Sequence, residues 1–289
     1  MTDSSKLDDY RAQMAREWDD PVTIAAWRNW RADGPSWSQG VTDAIVAAVQ
    51  ARPGMQILDL ASGSGQPAIS LARGVAPDGR VTATDMSAGM LKIAQECAAR
   101  EGVNNIVFRH SGAESLPFSD AEFDAITCRF GVMFFPEPVR ALRDCRRVLK
   151  PGGRVAFIAW GTPEQTFFSS TVGVLKNYVD MPRPEPDAPQ PFRFAQPASF
   201  SAVLSEAGFT QVRAEARSIP VAWPGPPEQF WEQFRECAAP FRKIINGLTP
   251  AMRSQVDADV LSALSKYYDG EQVRFRVEIV LATGIRAER

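Results

Sequence analysis

ILDLASGSGQPAIS occupies residues 57–70. It is a short apolar run ending in the turn Gly63-Ser64-Gly65, with a helix expected from Pro67 onward. Glycines at such a turn let the backbone reverse tightly and approach a ligand. The helix behind it offers unpaired N–H groups and a partial positive charge to an anion. Twenty residues beyond Gly65 comes Asp85, closing a second, β-branched run, RVTATD (80–85). A carboxylate there can accept both hydroxyls of a ribose. The spacing predicts a nucleoside site across the carboxyl ends of a doubly wound sheet. GSGQPA also satisfies the loose GxGxxA form of a dinucleotide fingerprint, so the turn alone does not say which nucleoside.

The same alternation continues on both sides of this unit. Ser87 suits the cap of a helix whose apolar face is Met90, Ile93, Ala94 and Cys97. NIVFRH (105–110), FDAITCRF (123–130) and RVAFIAW (154–160) read as further strands, and a helix from about Val139 stops at Lys-Pro-Gly-Gly. Short apolar strands alternating with helices imply a parallel sheet covered on both faces. Upstream, Asp20-Pro21 reads as a cap and first turn, with Ile24, Trp27 and Trp30 on one face. A break at Asp33-Gly34-Pro35 precedes a second helix. Downstream, the six prolines of 182–197 predict an irregular loop. A helix over Ala198–Ala207 follows, then a strand over 211–219. Two helices within 227–268 split near Gly247–Pro250, and an alternating strand covers 271–285.

The composition restricts the partners. Lys plus Arg number 32 against 34 Asp plus Glu, a net charge of -2, so no basic field exists for nucleic acid or anionic membranes. Four scattered cysteines without a CxxC pair, and the single His110, predict neither a metal site nor a disulfide framework. The polar N-terminus carries no signal-like apolar core, and no apolar run approaches a membrane span. The expectation is a cytoplasmic, reduced protein acting on something small. A homodimer is left open.

Four stretches, in order, resemble the motifs of class I S-adenosylmethionine-dependent methyltransferases: DLASGSG (59–65), ATDMSAGML (83–91), SGAESLPFSDAEFDAITC (111–128) and LKPGGRVAF (149–157). The likeness is greatest to the small-molecule branch that includes ubiquinone and menaquinone biosynthesis. It implies an α/β fold: a doubly wound, seven-stranded, mostly parallel Rossmann-like sheet with its last strand antiparallel. Residues 1–52 would form an N-terminal helical cap and 53–289 the methyltransferase domain. Helical additions at about 161–180 and 227–268 would complete a lid.

The resemblance also implies roles for matching positions. Ala61, Ser62, Gly63 and Gly65 would lie against the methionine part of S-adenosylmethionine, with Asp59 orienting the turn. Asp85 would hold the ribose, Met86 would pack on the adenine, and Ala113 and Glu114 would border its edge. Cys128 and Arg129 would place backbone near the sulfonium. One departure stands out: Gly112 replaces the acidic residue that often binds the adenine amino group, so either Glu114 takes that role or backbone and water do.

The acceptor side is less legible. Tyr10, Trp27, Trp30, Phe134 and Trp223 are the candidate substrate residues, chosen because aromatic additions near the strand ends suit an apolar or aromatic methyl acceptor. The first eighteen residues read as a polar tail bearing a solvent-facing Tyr10. His110 is a poor base, because it ends a strand on the adenine side. O- or C-methylation of a small metabolite is expected. An NAD(P)-dependent oxidoreductase on a similar fold is the first rival, and a non-catalytic binding protein with this fold the second.

Overall fold

A computed structural model describes residues 4–30, 37–181, 185 and 188–288. The Asp33-Gly34-Pro35 break and part of the proline-rich loop lie outside them. Seven strands form one sheet: β1 (Gln56–Leu60), β2 (Arg80–Asp85), β3 (Ile106–His110), β4 (Phe123–Arg129), β5 (Leu149–Trp160), β6 (Thr210–Pro224) and β7 (Gln272–Ile285). Their order is β3-β2-β1-β4-β5-β7-β6. Only β7 runs against the rest, antiparallel to both β5 and β6. The seven-stranded, mostly parallel sheet and its reversed last strand are as expected.

The apolar run at the centre explains the order. Ile57, Leu58, Asp59 and Leu60 are all fully buried, which suits a strand covered on both faces. β1 pairs in parallel with β2 on one side and β4 on the other. The chain therefore changes direction between β1 and β4, the crevice where doubly wound sheets bind ligands.

Helices close both faces. α1 (Ser4–Trp18), α2 (Pro21–Asn29) and α3 (Gln39–Val49) come from the N-terminal part, α4 (Ala68–Val75), α5 (Ala88–Arg100) and α6 (Pro138–Val148) from the alternating region. In α6, Ala141, Leu142, Cys145 and Val148 are buried at helical spacing, while Arg140, Arg143 and Arg146 stay on the other face. The arginine-rich stretch is thus a solvated helix face. Val41, Ile45 and Val49 of α3 are buried in one core with Ile57 and Val81 of the sheet. α3 is therefore a layer of the main domain, and only α1 and α2 lie above it.

The C-terminal half holds α7 (Thr166–Ser169), α8 (Val172–Leu175) and α9 (Pro197–Glu206), then α10 (Pro227–Cys237), α11 (Ala239–Asn246) and α12 (Pro250–Ser265). Three helices, not two, fill 227–268. The extra break falls at Ala238, where the backbone leaves helical geometry ahead of Pro240. β6 is also longer than expected. Residues 220–224 continue as a ribbon with β7, and the side chains of Val221 and Trp223 are buried against the added helices.

The N-terminal segment is helical, as read for residues 1–52, but the stretch also read as a polar tail is itself α1, a helix of 15 residues. Asp19 and Asp20 then join α1 to α2. Asp20 caps α2, its carboxylate accepting from the Thr23 amide at 3.2 Å. Asp19 Oδ1 accepts from Ser87 Oγ at 2.7 Å and Gly89 N at 3.0 Å, at the start of α5. A Cβ on Gly89 would sit 2.6 Å from Ile24 Cδ1, so its bare backbone lets α2 lie down on α5.

Candidate functional site

β1 delivers the chain into the turn Ala61–Gln66. Gly65 has φ +108, and a Cβ there would meet Ile69 Cδ1 at 2.9 Å. Only glycine fits that conformation without displacing α4. Ala61 also has positive φ, at +50, a strained conformation for a residue with a Cβ. A Cβ at Gly131 would sit 2.4 Å from Ala61 Cβ. Gly131 thus lets the segment after β4 press on the turn, a close approach that no local pattern announces.

Asp85 ends β2 and reaches back to the turn. Its Oδ2 accepts from Gly63 N at 2.8 Å and its Oδ1 from Ser87 N at 2.9 Å. Burial raises its pKa, opposed by those two amides. Each carboxylate oxygen keeps a second lone pair for a ligand hydroxyl. His110, its β-ladder partner, has Nε2 at 2.8 Å from the Met86 carbonyl. A carbonyl only accepts, so Nε2 donates and His110 steadies the loop that carries Met86.

Asp59 lies fully buried beneath the turn. Its Oδ1 accepts from Thr127 Oγ1 at 2.6 Å, while Oδ2 has no partner. Burial pushes its carboxyl up to about 6, against the pull of the Thr127 and Ser62 hydroxyls and the Arg129 guanidinium. Arg129 donates to Thr42 Oγ1 at 3.0 Å and Ser38 Oγ at 3.3 Å on the α3 side.

Above these elements opens a chamber of about 680 Å³, within the range of small-molecule sites. Ala61, Ser62, Gly63, Asp85 and Met86 line it, together with Ala113, Glu114 and Arg129. Asp59, Gly65 and Cys128 sit behind that lining. Cys128 is a fully buried core residue whose pKa is raised by burial. Its side chain belongs to the core cluster that includes Cys145 of α6, and its Sγ would lie 2.9 Å from a Cβ placed on Gly131.

Glu114 is already engaged. Its Oε2 accepts from Arg11 Nε at 2.7 Å and its Oε1 from Glu137 N at 2.6 Å. Arg11 also donates to Glu137 Oε2 at 2.6 Å. The carboxylate thus latches α1 over the strand ends.

Of the acceptor candidates, Tyr10, Trp27 and Phe134 line the chamber, whereas Trp30 and Trp223 do not. Trp30 donates to Glu236 Oε2 at 2.5 Å and its ring lies 6.1 Å from that of Trp223. This pair docks α2 on the β6 ribbon, because both rings are drawn into the interface rather than the opening. Tyr10 is not solvent-facing. Its hydroxyl is buried without a hydrogen-bond partner, and burial, reinforced by Glu17, raises its pKa. Periodicity did not single out Met14, Trp18, Phe130 or Trp160, which also line the chamber. Trp18 follows Met14 by four residues and Tyr10 by eight, a helical stripe readable once the segment is known to be a helix.

Tyr10→Phe tests that orphaned hydroxyl. Leaving a buried hydroxyl unpaired costs about 1–3 kcal/mol. The variant is expected to melt at or above the wild-type temperature without ligand. A drop of several degrees in calorimetry would mean that the hydroxyl has a stabilising partner.

Residues 36–183 match the model of the ubiE/COQ5 methyltransferase family. Over 120 residues the chain is 38% identical to the ubiquinone/menaquinone biosynthesis C-methyltransferase UbiE of Shewanella frigidimarina, covering 41% of this chain and 48% of that one. Over 131 residues it is 33% identical to the demethylmenaquinone methyltransferase of Listeria monocytogenes, covering 45% and 55%. The chain spans about half the length of these relatives. Among solved structures, the [4+2]-cyclase SpnF superposes with a TM-score of 0.57 at 23% identity, over 95% of both chains. That likeness concerns the fold alone, and a fold does not fix a chemistry. No group of three or more metal-binding side chains occurs among the described residues, and no described helix is long and apolar enough to cross a membrane.

Proposed function

Because the chain belongs to the ubiE/COQ5 methyltransferase family, we propose that it transfers a methyl group from S-adenosylmethionine to a small aromatic acceptor, at carbon, on a quinone-type ring. One observation carries this reading. A single chamber joins the Asp85 cradle and glycine turn to a second compartment walled by aromatic rings. A nucleoside donor and an apolar acceptor can therefore meet at the ends of β1 and β4.

The residues fit the donor. Asp85 presents free lone pairs to the ribose hydroxyls beside the Gly63 and Ser87 amides it already holds. Asp59 keeps an unpartnered buried oxygen under the turn, which suits a water-linked contact to an ammonium. Met86 and Ala113 flank the adenine, while Ala61, Ser62 and Arg129 border the methionine end. When bound, S-adenosylmethionine supplies an electrophilic methyl group on a cationic sulfur. The protein's contribution is alignment and exclusion of water. Both oxygens of Asp85 and of Glu114 already accept hydrogen bonds. Burial holds the Cys237 thiol up at about 12. Among the described residues, the two chamber carboxylates are thus occupied with the donor turn and with Arg11, an arrangement that favours a carbon already made electron-rich by its own ring over an unactivated alcohol.

The buried Asp59 beside the turn also argues against a dinucleotide, since a pyrophosphate would meet a carboxylate there. A ligand that binds only the folded state stabilises it by about 2.7 kcal/mol at a hundred times its dissociation constant. At roughly 2–4 °C per kcal/mol for a chain of this size, a rise of about 5–10 °C follows. S-Adenosylmethionine and S-adenosylhomocysteine are expected to raise the melting temperature by that amount, and NADH and NADPH are not. The opposite pattern would promote the oxidoreductase.

A further inference from the structure

Four rings that line the chamber follow one another with nearly parallel planes. Phe130 stacks on Trp160 with centroids 3.8 Å apart and planes 15° apart. Trp160 and Phe167 lie 5.4 Å apart at 14°, and Phe167 and Trp37 lie 5.6 Å apart at 14°. All four line the chamber. They form a staircase of near-parallel rings, whereas Phe168 stands edge-on to it, at 87° to Trp160 and 84° to Phe167.

The first step of the staircase is held there under strain. Phe130 has φ +62, a conformation bulky side chains rarely adopt. Its amide still donates to Ile158 O at 2.8 Å, extending the β4–β5 ladder by one bond. The strained turn thus sets the ring against Trp160, at the carboxyl end of the central strand β4, next to Arg129. Strain of this kind persists where the surrounding structure over-determines it, and it clusters at ligand sites.

The chamber's charges are spent elsewhere. Among the described residues, Arg11, Asp85, His110, Glu114 and Arg129 are its charged or imidazole side chains. Each has a partner in the protein: Arg11 with Glu114, Asp85 with Gly63 and Ser87, His110 with Met86, and Arg129 with the Thr42 hydroxyl and, through its charge, with the buried Asp59. A charged acceptor would enter without a ready counter-charge.

We propose that the Phe130–Trp160 stack, continued by Phe167 and Trp37, is the acceptor platform: it sets the plane of the methyl acceptor and selects an uncharged, flat ring system over a saturated or ionised one. This rests on the methyltransferase reading only for the word acceptor; the platform itself is a binding site that can be tested alone. Phe130, Trp160, Phe167 and Trp37 are positioning and specificity residues, with no role in proton transfer.

The test uses three probes of similar size on the full chain, with and without S-adenosylhomocysteine: 2-naphthol, decahydro-2-naphthol and 2-naphthoate. Calorimetry is expected to show 2-naphthol binding about tenfold or more tighter than either of the others, the scale of one or two aromatic stacking contacts. Phe130→Leu and Phe167→Leu keep apolar bulk but lose a ring face. They should bring the 2-naphthol preference over decahydro-2-naphthol to within about threefold, while S-adenosylhomocysteine affinity stays unchanged. Phe168→Leu, which removes only the edge-on ring, should keep the preference. Equal binding of the flat and saturated probes, no measurable 2-naphthol binding, or an undiminished preference in both folded variants would overturn the platform. Loss of S-adenosylhomocysteine binding by the wild type would instead overturn the methyltransferase reading, with the probe ratios still readable.

Discussion

Asp85→Ala is expected to weaken S-adenosylhomocysteine binding by at least about a hundredfold. The carboxylate can make two charge-assisted hydrogen bonds to ribose hydroxyls, each worth roughly 1.5–3 kcal/mol. The structure adds a second source of loss. The same carboxylate tethers Gly63 N and Ser87 N, so its removal also loosens the turn that faces the ligand. Asp85→Asn separates the two. Its one carbonyl oxygen can keep a single tether, so it should fall between wild type and Asp85→Ala. Calorimetry on the folded proteins reads both, and wild-type affinity in Asp85→Ala would remove Asp85 from the site.

Deleting residues 1–18, which removes α1, is expected to lower turnover by about a hundredfold while moving the melting temperature by less than about 5 °C. α1 lends Tyr10, Met14 and Trp18 to the chamber wall, but few of its residues are buried in the core. Its principal anchor is the partly exposed Arg11 pairing with Glu114 and Glu137. Such exposed pairs contribute little to folding stability. A wall, by contrast, excludes water and aligns the acceptor, and small misplacements there cost about two orders of magnitude in rate. Arg11→Ala should act in the same direction, less strongly, because Asp19 still ties the α1–α2 junction to Ser87 and Gly89. Unchanged kcat/KM in the truncated protein would show that α1 is not part of the working enzyme.

Much of the cofactor half was legible because its signals are local. A strand of four buried residues must be an apolar run, a φ of +108 wants glycine at 65, and a capped helix wants Ser87 before it. The family resemblance, carried by motifs each under twenty residues long, came from the same stretches. The acceptor half was read less well. Trp30 and Trp223 carry the same residue type as Trp27, yet only Trp27 reaches the chamber. Trp30 and Trp223 come from segments far apart in the chain and meet each other instead. Nor did any local signal announce that Glu114 pairs with Arg11, 103 residues away.

The amino-acid sequence by itself determined the alternating sheet, the glycine turn and the carboxylate at 85, because each depends on backbone conformation and burial within a few residues. Only the tertiary structure decided what surrounds the acceptor: that the first eighteen residues lend side chains to the chamber wall, that the hydroxyl of Tyr10 is buried rather than exposed, and that the rings of residues 37, 167, 160 and 130 follow one another with nearly parallel planes. Those facts depend on contacts between segments tens to hundreds of residues apart. Such contacts leave no period in the sequence, since an aromatic residue looks the same there whether its ring faces a core, a neighbouring helix or a ligand.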